Sequence, residues 1–137
     1  MKLNPEQIDH INTVNWFNFQ FPELEPDFHH FANERKCSIQ TGRLLKRMNV
    51  KRGVFDFFLA LPINGKSGLW IELKVGKNKP TKEQIEFGNR KLDRGYGVAI
   101  AWGFDSAKEI ILSYLEDYIT IRANNDTKKL FNGSPVC

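Results

Sequence analysis

Two acids and a lysine stand where a hydrophobic strand pair should carry no charge. Asp56 lies in the run Gly53-Val54-Phe55-Asp56-Phe57-Phe58-Leu59-Ala60-Leu61, and Glu72 and Lys74 lie in Leu69-Trp70-Ile71-Glu72-Leu73-Lys74. Burying an ionised carboxylate costs several kcal/mol unless a cation or hydrogen bonds compensate it. Two carboxylates held together repel, and a shared divalent cation relieves the repulsion. Oxygen donors with open positions suit Mg²⁺ or Mn²⁺, which take one or two carboxylates plus a phosphate. Lys74 beside such an ion is placed to orient a water or to steady developing negative charge. The bland alternative is an Asp/Glu/Lys ion pair on a half-wet sheet face, which needs no metal.

Those residues need a hairpin to bring them together. Between the two apolar runs stands Pro62-Ile63-Asn64-Gly65-Lys66-Ser67-Gly68, a cluster of turn formers. Strand alternation places Trp70, Glu72 and Lys74 on one face and Leu69, Ile71, Leu73 and Val75 on the other, which is the better core face. A hairpin centred on Asn64 sets Asp56 opposite Glu72, and that centring requires an odd loop. A tight two-residue Asn64-Gly65 turn sets Asp56 opposite Leu73 and separates the acids. The expectation is therefore an odd loop.

The elements around this hairpin read as follows. Asn4-Pro5-Glu6-Gln7 opens a helix to about Phe19, with Ile8, Ile11, Trp16 and Phe19 as its expected buried stripe, broadened by Val14 and Phe17. Pro22 and Pro26 mark a loop before the short strand Phe28-His29-His30-Phe31. His10 falls on the first helix and receives no assignment, and His29 is expected to be exposed. Ser38 to Met48 reads as a short helix ended by Asn49, which tolerates the left-handed conformation. Thr81-x-x-Gln84 fits a capping box opening a helix through Arg94, closed by Gly95. Tyr96 to Trp102 reads as an apolar, buried strand, and Ser106-x-x-Glu109 as a second capping box starting a helix to about Arg122.

Bulk properties bound the classes. At 137 residues with eleven Phe and three Trp, the chain reads as one domain, 1–137, able to bury about two-thirds of its extended surface without staples. Residues 124–137 read as a polar tail. Cys37 and Cys137 have no metal-ligand spacing, and no signal peptide or long apolar run is seen, so a reduced, cytoplasmic protein is expected. The net charge is only +4, but residues 1–34 hold six acids against Lys2 alone. Residues 35–52 hold seven bases, Arg35, Lys36, Arg43, Lys46, Arg47, Lys51 and Arg52, and no acid. Such a block calls for an anionic partner, with phosphate backbone the obvious one; a merely solvated basic face is the alternative. Lys77 and Lys79 add a basic loop after the second acidic strand.

Asp followed across a hairpin by Glu-x-Lys resembles the signature of PD-(D/E)xK nucleases. The wider set, Gly53-Val54-Phe55-Asp56, Ile71-Glu72-Leu73-Lys74 and Gln84, resembles the virus-type replication-repair nuclease (VRR-NUC) branch, in its stand-alone phage-like form. His30-Phe31-Ala32-Asn33 is similar to the family's His-x-x-Asn element, with Ala where Pro is usual, and Phe55 stands where Pro usually precedes the Asp. The resemblance implies an α/β (α+β) fold, a restriction-endonuclease-like mixed β-sheet core flanked by helices in the order αβ(α)ββαβα. It implies Mg²⁺ or Mn²⁺ held by Asp56, Glu72 and the Leu73 carbonyl, with Glu6 reaching the site from the first helix; a plain helix-dipole role is the alternative for Glu6. Lys74 and Gln84 would complete the catalytic set, with Gln84 expected to serve either the helix cap or the site but not both. His30 and Asn33 would support the site from behind, His30 in the core or just outside the ligands. The implied function is a metal-dependent, structure-specific DNA endonuclease, a homodimer resolving four-way (Holliday) junctions. Other branched DNA such as flaps or nicked substrates, and a non-catalytic DNA-binding subunit, are the alternatives.

Overall fold

A computed structural model describes residues 1–32 and 37–123. The expectations for Asn33, Arg35, Lys36 and the tail 124–137 lie outside the described residues. Helix α1 spans Pro5–Gln20 and is capped as expected: Asn4 accepts from the Gln7 N–H while the Gln7 side chain accepts from the Asn4 N–H. A 3₁₀ turn, Pro22–Asp27, leads into strand β1, Phe28–His30. Helix α2 covers Ile39–Arg47 with Ser38 as cap, and Asn49 takes the left-handed conformation (φ 64°) that ends it. Strands β2, Phe57–Leu59, and β3, Leu69–Lys74, follow, then helix α3, Lys82–Asp93, strand β4, Gly97–Trp102, and helix α4, Phe104–Tyr114.

The sheet order is β1-β2-β3-β4, antiparallel across the first three strands and parallel between β3 and β4. This is the expected mixed sheet with helices on both faces, in the expected order αβ(α)ββαβα. One face packs Phe57, Leu59, Leu69, Ile71 and Leu73 against Phe17 of α1 and Ala107 and Ile111 of α4. Burial of each of the larger side chains contributes on the order of 2 kcal/mol. The other face stacks Phe58 on Trp70, with Phe87 of α3 edge-on to the indole. Gly88 lets α3 pack closely there, since a Cβ would sit 3.0 Å from the Phe55 ring.

Four expectations are corrected. The turn is the tight Asn64-Gly65 pair, both residues left-handed (φ 55° and 74°), closed by reciprocal Ile63 and Lys66 hydrogen bonds. The strands nevertheless pair Phe57 with Ile71. Three residues separate Ile63 from Leu59 but two separate Lys66 from Leu69, so a bulge on the first side restores the register that an odd loop was expected to supply. Ala60 there bonds Asp27, Leu61 accepts from the Tyr114 hydroxyl, and Pro62 has no N–H to offer a ladder.

Second, α1 turns Thr13 and Phe17 inward, while Ile8, Ile11 and Phe19 are exposed; the line facing the sheet is set by packing rather than by the most apolar positions. Third, β4 is an edge strand in which only Ala101 is fully buried and Trp102 is exposed. Fourth, α4 begins at Phe104 with Gly103 as N-cap and no side-chain cap bond, so Ser106 is inside the helix. It stops at Tyr114 with Leu115 as C-cap, and helix resumes over 116–123.

Candidate active site

The ladder between β2 and β3 ends at Phe57, and side chains take over from there. The Leu73 N–H donates to Asp56 Oδ2 (2.9 Å), and the Asp56 N–H donates to Glu72 Oε1 (3.2 Å). Each acid thus accepts a backbone hydrogen that a longer strand pair would have used for itself. Alternation breaks here too: Phe57 joins the α1 and α4 core, whereas Phe55, two residues earlier, packs on Phe87 of α3. Asp56 is left at the sheet end, buried, where it meets Glu72 as the register requires.

Glu72 is 2% exposed. Burial first, and the Asp56 charge second, push its carboxyl up to about 7, against the pull of Lys74. Lys74 Nζ lies 3.1 Å from Glu72 Oε2, as expected of two residues sharing a strand face. Gln84 Nε2 donates to the same Oε2 (2.8 Å), while Gln84 Oε1 accepts from the Thr81 N–H (2.9 Å). The either/or expectation for Gln84 is therefore wrong: an amide has a donor end and an acceptor end, and this one caps α3 and holds Glu72 together. Gly53 seats that helix start. It is left-handed (φ 80°), and a Cβ on it would meet the Glu83 backbone at 2.6 Å.

On the α1 side of Asp56 stand residues that sequence reasoning missed or misplaced. His10 Nε2 is 3.5 Å from Asp56 Oδ2 and 4.0 Å from Glu6 Oε1. Glu6 is thus held one step from Asp56, with His10 between. His30 is exposed at the end of β1, not in the core; its ring stacks on Phe57 and meets the His10 ring edge-on at 4.8 Å. Among the described residues, His10, His30 and Asp56 are the one group of three whose donor atoms all lie within 4.8 Å of one another. The only sequence signal for His10 was its position one helical turn beyond Glu6.

A divalent cation fits the acid pair on chemical grounds. Two adjacent buried carboxylates face one ammonium group, and the raised Glu72 carboxyl shows how poorly this setting supports the second negative charge by itself. Hard oxygen donors suit Mg²⁺ or Mn²⁺, and the Leu73 backbone is drawn against Asp56 through its N–H.

No protein-family model matches the chain, and no curated protein matches it. Among solved structures, a VRR_NUC domain protein is 27% identical, with a TM-score of 0.70, over 85% of this chain and 92% of its own. The chain shares that protein's fold and resembles a VRR-NUC domain. The Asp56, Glu72, Lys74 and Gln84 cluster therefore lies in a fold of the VRR-NUC type. The expected basic residues Arg43, Lys46, Arg47, Lys51, Arg52, Lys77 and Lys79 are all exposed. Helix α2 buries none of its residues, so the basic side chains of its last turns are free of core duties. No helix among the described residues is long and apolar enough to cross a membrane.

Proposed function

We propose that this chain is a VRR-NUC nuclease domain, a metal-dependent, structure-specific DNA endonuclease that hydrolyses phosphodiester bonds, acting in the cytoplasm as a homodimer on four-way junctions. The observation that carries the reading is the convergence of Asp56, Glu72, Lys74 and Gln84 at one buried sheet end. Asp56, Glu72 and the Leu73 carbonyl would hold Mg²⁺ or Mn²⁺, with Glu6 near the edge of the set. When bound, the cation neutralises phosphate charge and lowers the pKa of water toward neutrality. Lys74 donates toward the scissile phosphate and shares its charge with Glu72. Gln84 fixes the Glu72 carboxylate and can turn its N–H toward the attacking water. The exposed bases of α2 and of the loops at Lys51 and Lys77 track phosphates.

Two DNA strands must be cut to resolve a junction, and the described residues bring together one such acid pair, so two copies are the economical arrangement. The test is cleavage of synthetic four-way, flapped, nicked and linear DNA with Mg²⁺, Mn²⁺ or EDTA. Wild type should cut branched DNA only with metal. Asp56→Ala, Glu72→Ala and Lys74→Ala should lose cleavage at least a thousandfold while DNA binding stays within a fewfold. Full activity in Glu72→Ala overturns the assignment. A monomer by light scattering at micromolar concentration overturns the junction-resolving form, and flap-restricted cutting replaces it.

A further inference from the structure

Three elements that are distant in sequence bring two imidazoles and a carboxylate together beside the acid pair. His10 comes from the middle of α1, His30 from the end of β1 and Asp56 from the approach to β2. Their donor atoms lie within 4.8 Å of one another, with His10 Nε2 to Asp56 Oδ2 at 3.5 Å. Ligands on a single ion at about 2.1 Å stand about 3 to 4 Å apart, depending on the angle between them. The His10 to Asp56 spacing already falls in that range, and the exposed His30 would have to approach by about 1 Å.

Two histidines and one carboxylate with positions left open is a ligand set for borderline transition ions, whereas Mg²⁺ takes oxygen and keeps its water. Both imidazoles, though not Asp56, also line a groove of about 300 Å³ with Leu3, Gln7, Ile11 and Asn15 among others, which leaves room on their side for further ligands. Glu6 Oε1, 4.0 Å from His10 Nε2, adds negative charge beside it.

We propose that His10, His30 and Asp56 form a nitrogen-donor site for a divalent transition-metal ion such as Co²⁺ or Zn²⁺, adjoining the oxygen-donor site of Asp56 and Glu72. The inference deepens the nuclease reading, because Asp56 belongs to both sites. It makes the domain selective among ions: the imidazoles recruit a transition metal where the acid pair alone accepts magnesium.

The test uses the full metal-free chain with Zn²⁺ or Co²⁺ alone, without DNA. In histidine ¹H–¹⁵N spectra, one equivalent of Zn²⁺ should give coordinated-nitrogen shifts at His10 and His30 and none at His29, which serves as the internal control. In Co²⁺ titrations followed by visible absorption, His10→Ala and His30→Ala should each weaken binding at least tenfold, and Glu72→Gln should retain the absorption. Unshifted His10 and His30 nitrogens overturn the proposal, whatever the variants do. Co²⁺ binding lost in Glu72→Gln but unchanged in both histidine variants overturns it equally. Failure of the nuclease reading looks different: Zn²⁺ coordination intact with no cleavage in any metal. Failure of this proposal alone leaves Mg²⁺-supported cleavage with silent histidines.

Discussion

Replacing Glu72 by Gln isolates the energetic consequence of burying a second acid beside Asp56. The Glu72 carboxyl is raised from 4.5 to about 7, with burial the larger cause and the Asp56 charge the next. An acid whose folded pKa lies above its unfolded one stabilises fully below the unfolded value, and that contribution disappears as pH rises through the folded value. The displacement corresponds to ~3 kcal/mol, lost between about pH 4.5 and pH 7.5 in metal-free protein. In a domain of this size that is a fall of roughly 10 °C in Tm.

Glu72→Gln has no charge to bury and should lack this component, although its amide must present an N–H toward donors at Asp56, Lys74 or Gln84 and will lower stability by a pH-independent amount. The assay is urea unfolding at closely spaced pH values in EDTA for both proteins. The stability difference between them should change by ~3 kcal/mol over that window, wild type losing ground as pH rises. Saturating Mg²⁺ should flatten the wild-type curve, because the cation keeps both carboxylates ionised. Parallel curves in EDTA would refute the claim that Glu72 is held protonated by its surroundings.

Further predictions concern residues around the acids. Gly53→Ala should destabilise by ~2 to 4 kcal/mol in denaturant titrations, and should also depress cleavage, because the added Cβ meets the Glu83 backbone next to Gln84. Gln84→Ala should cost about 1 to 2 kcal/mol and at least tenfold in cleavage. Thr81→Ala removes a cap of similar worth but keeps the Gln84 bond to Glu72, so its cleavage should stay near wild type. The triple change Arg43→Ala, Lys46→Ala and Arg47→Ala should leave the fold intact, since α2 buries nothing, and should reduce the slope of log K against log salt for DNA binding by about 3. An unchanged slope would show that α2 does not face phosphate.

Features that rest on short-range periodicity and local bonding could be read before folding was considered. Two residues on one face of a strand share that face wherever the strand is placed, so the contact of Glu72 with Lys74 was legible. The caps at Asn4 and Thr81, the left-handed Asn49 and the order of elements likewise depend on neighbours within a few positions. The tertiary structure decided what depends on packing across the chain. The register that joins Asp56 to Glu72 is set by a bulge at 60–62, whose backbone groups turn to Asp27 and Tyr114 and not to the partner strand. The exposed Ile8 and Ile11, and the uncapped start of α4, follow from where the sheet lies, which no helical pattern encodes. His10, His30 and Asp56 meet because α1 packs His10 against His30 of β1 and Phe57 of β2, and a site assembled from three separate elements has no spacing in the sequence to announce it.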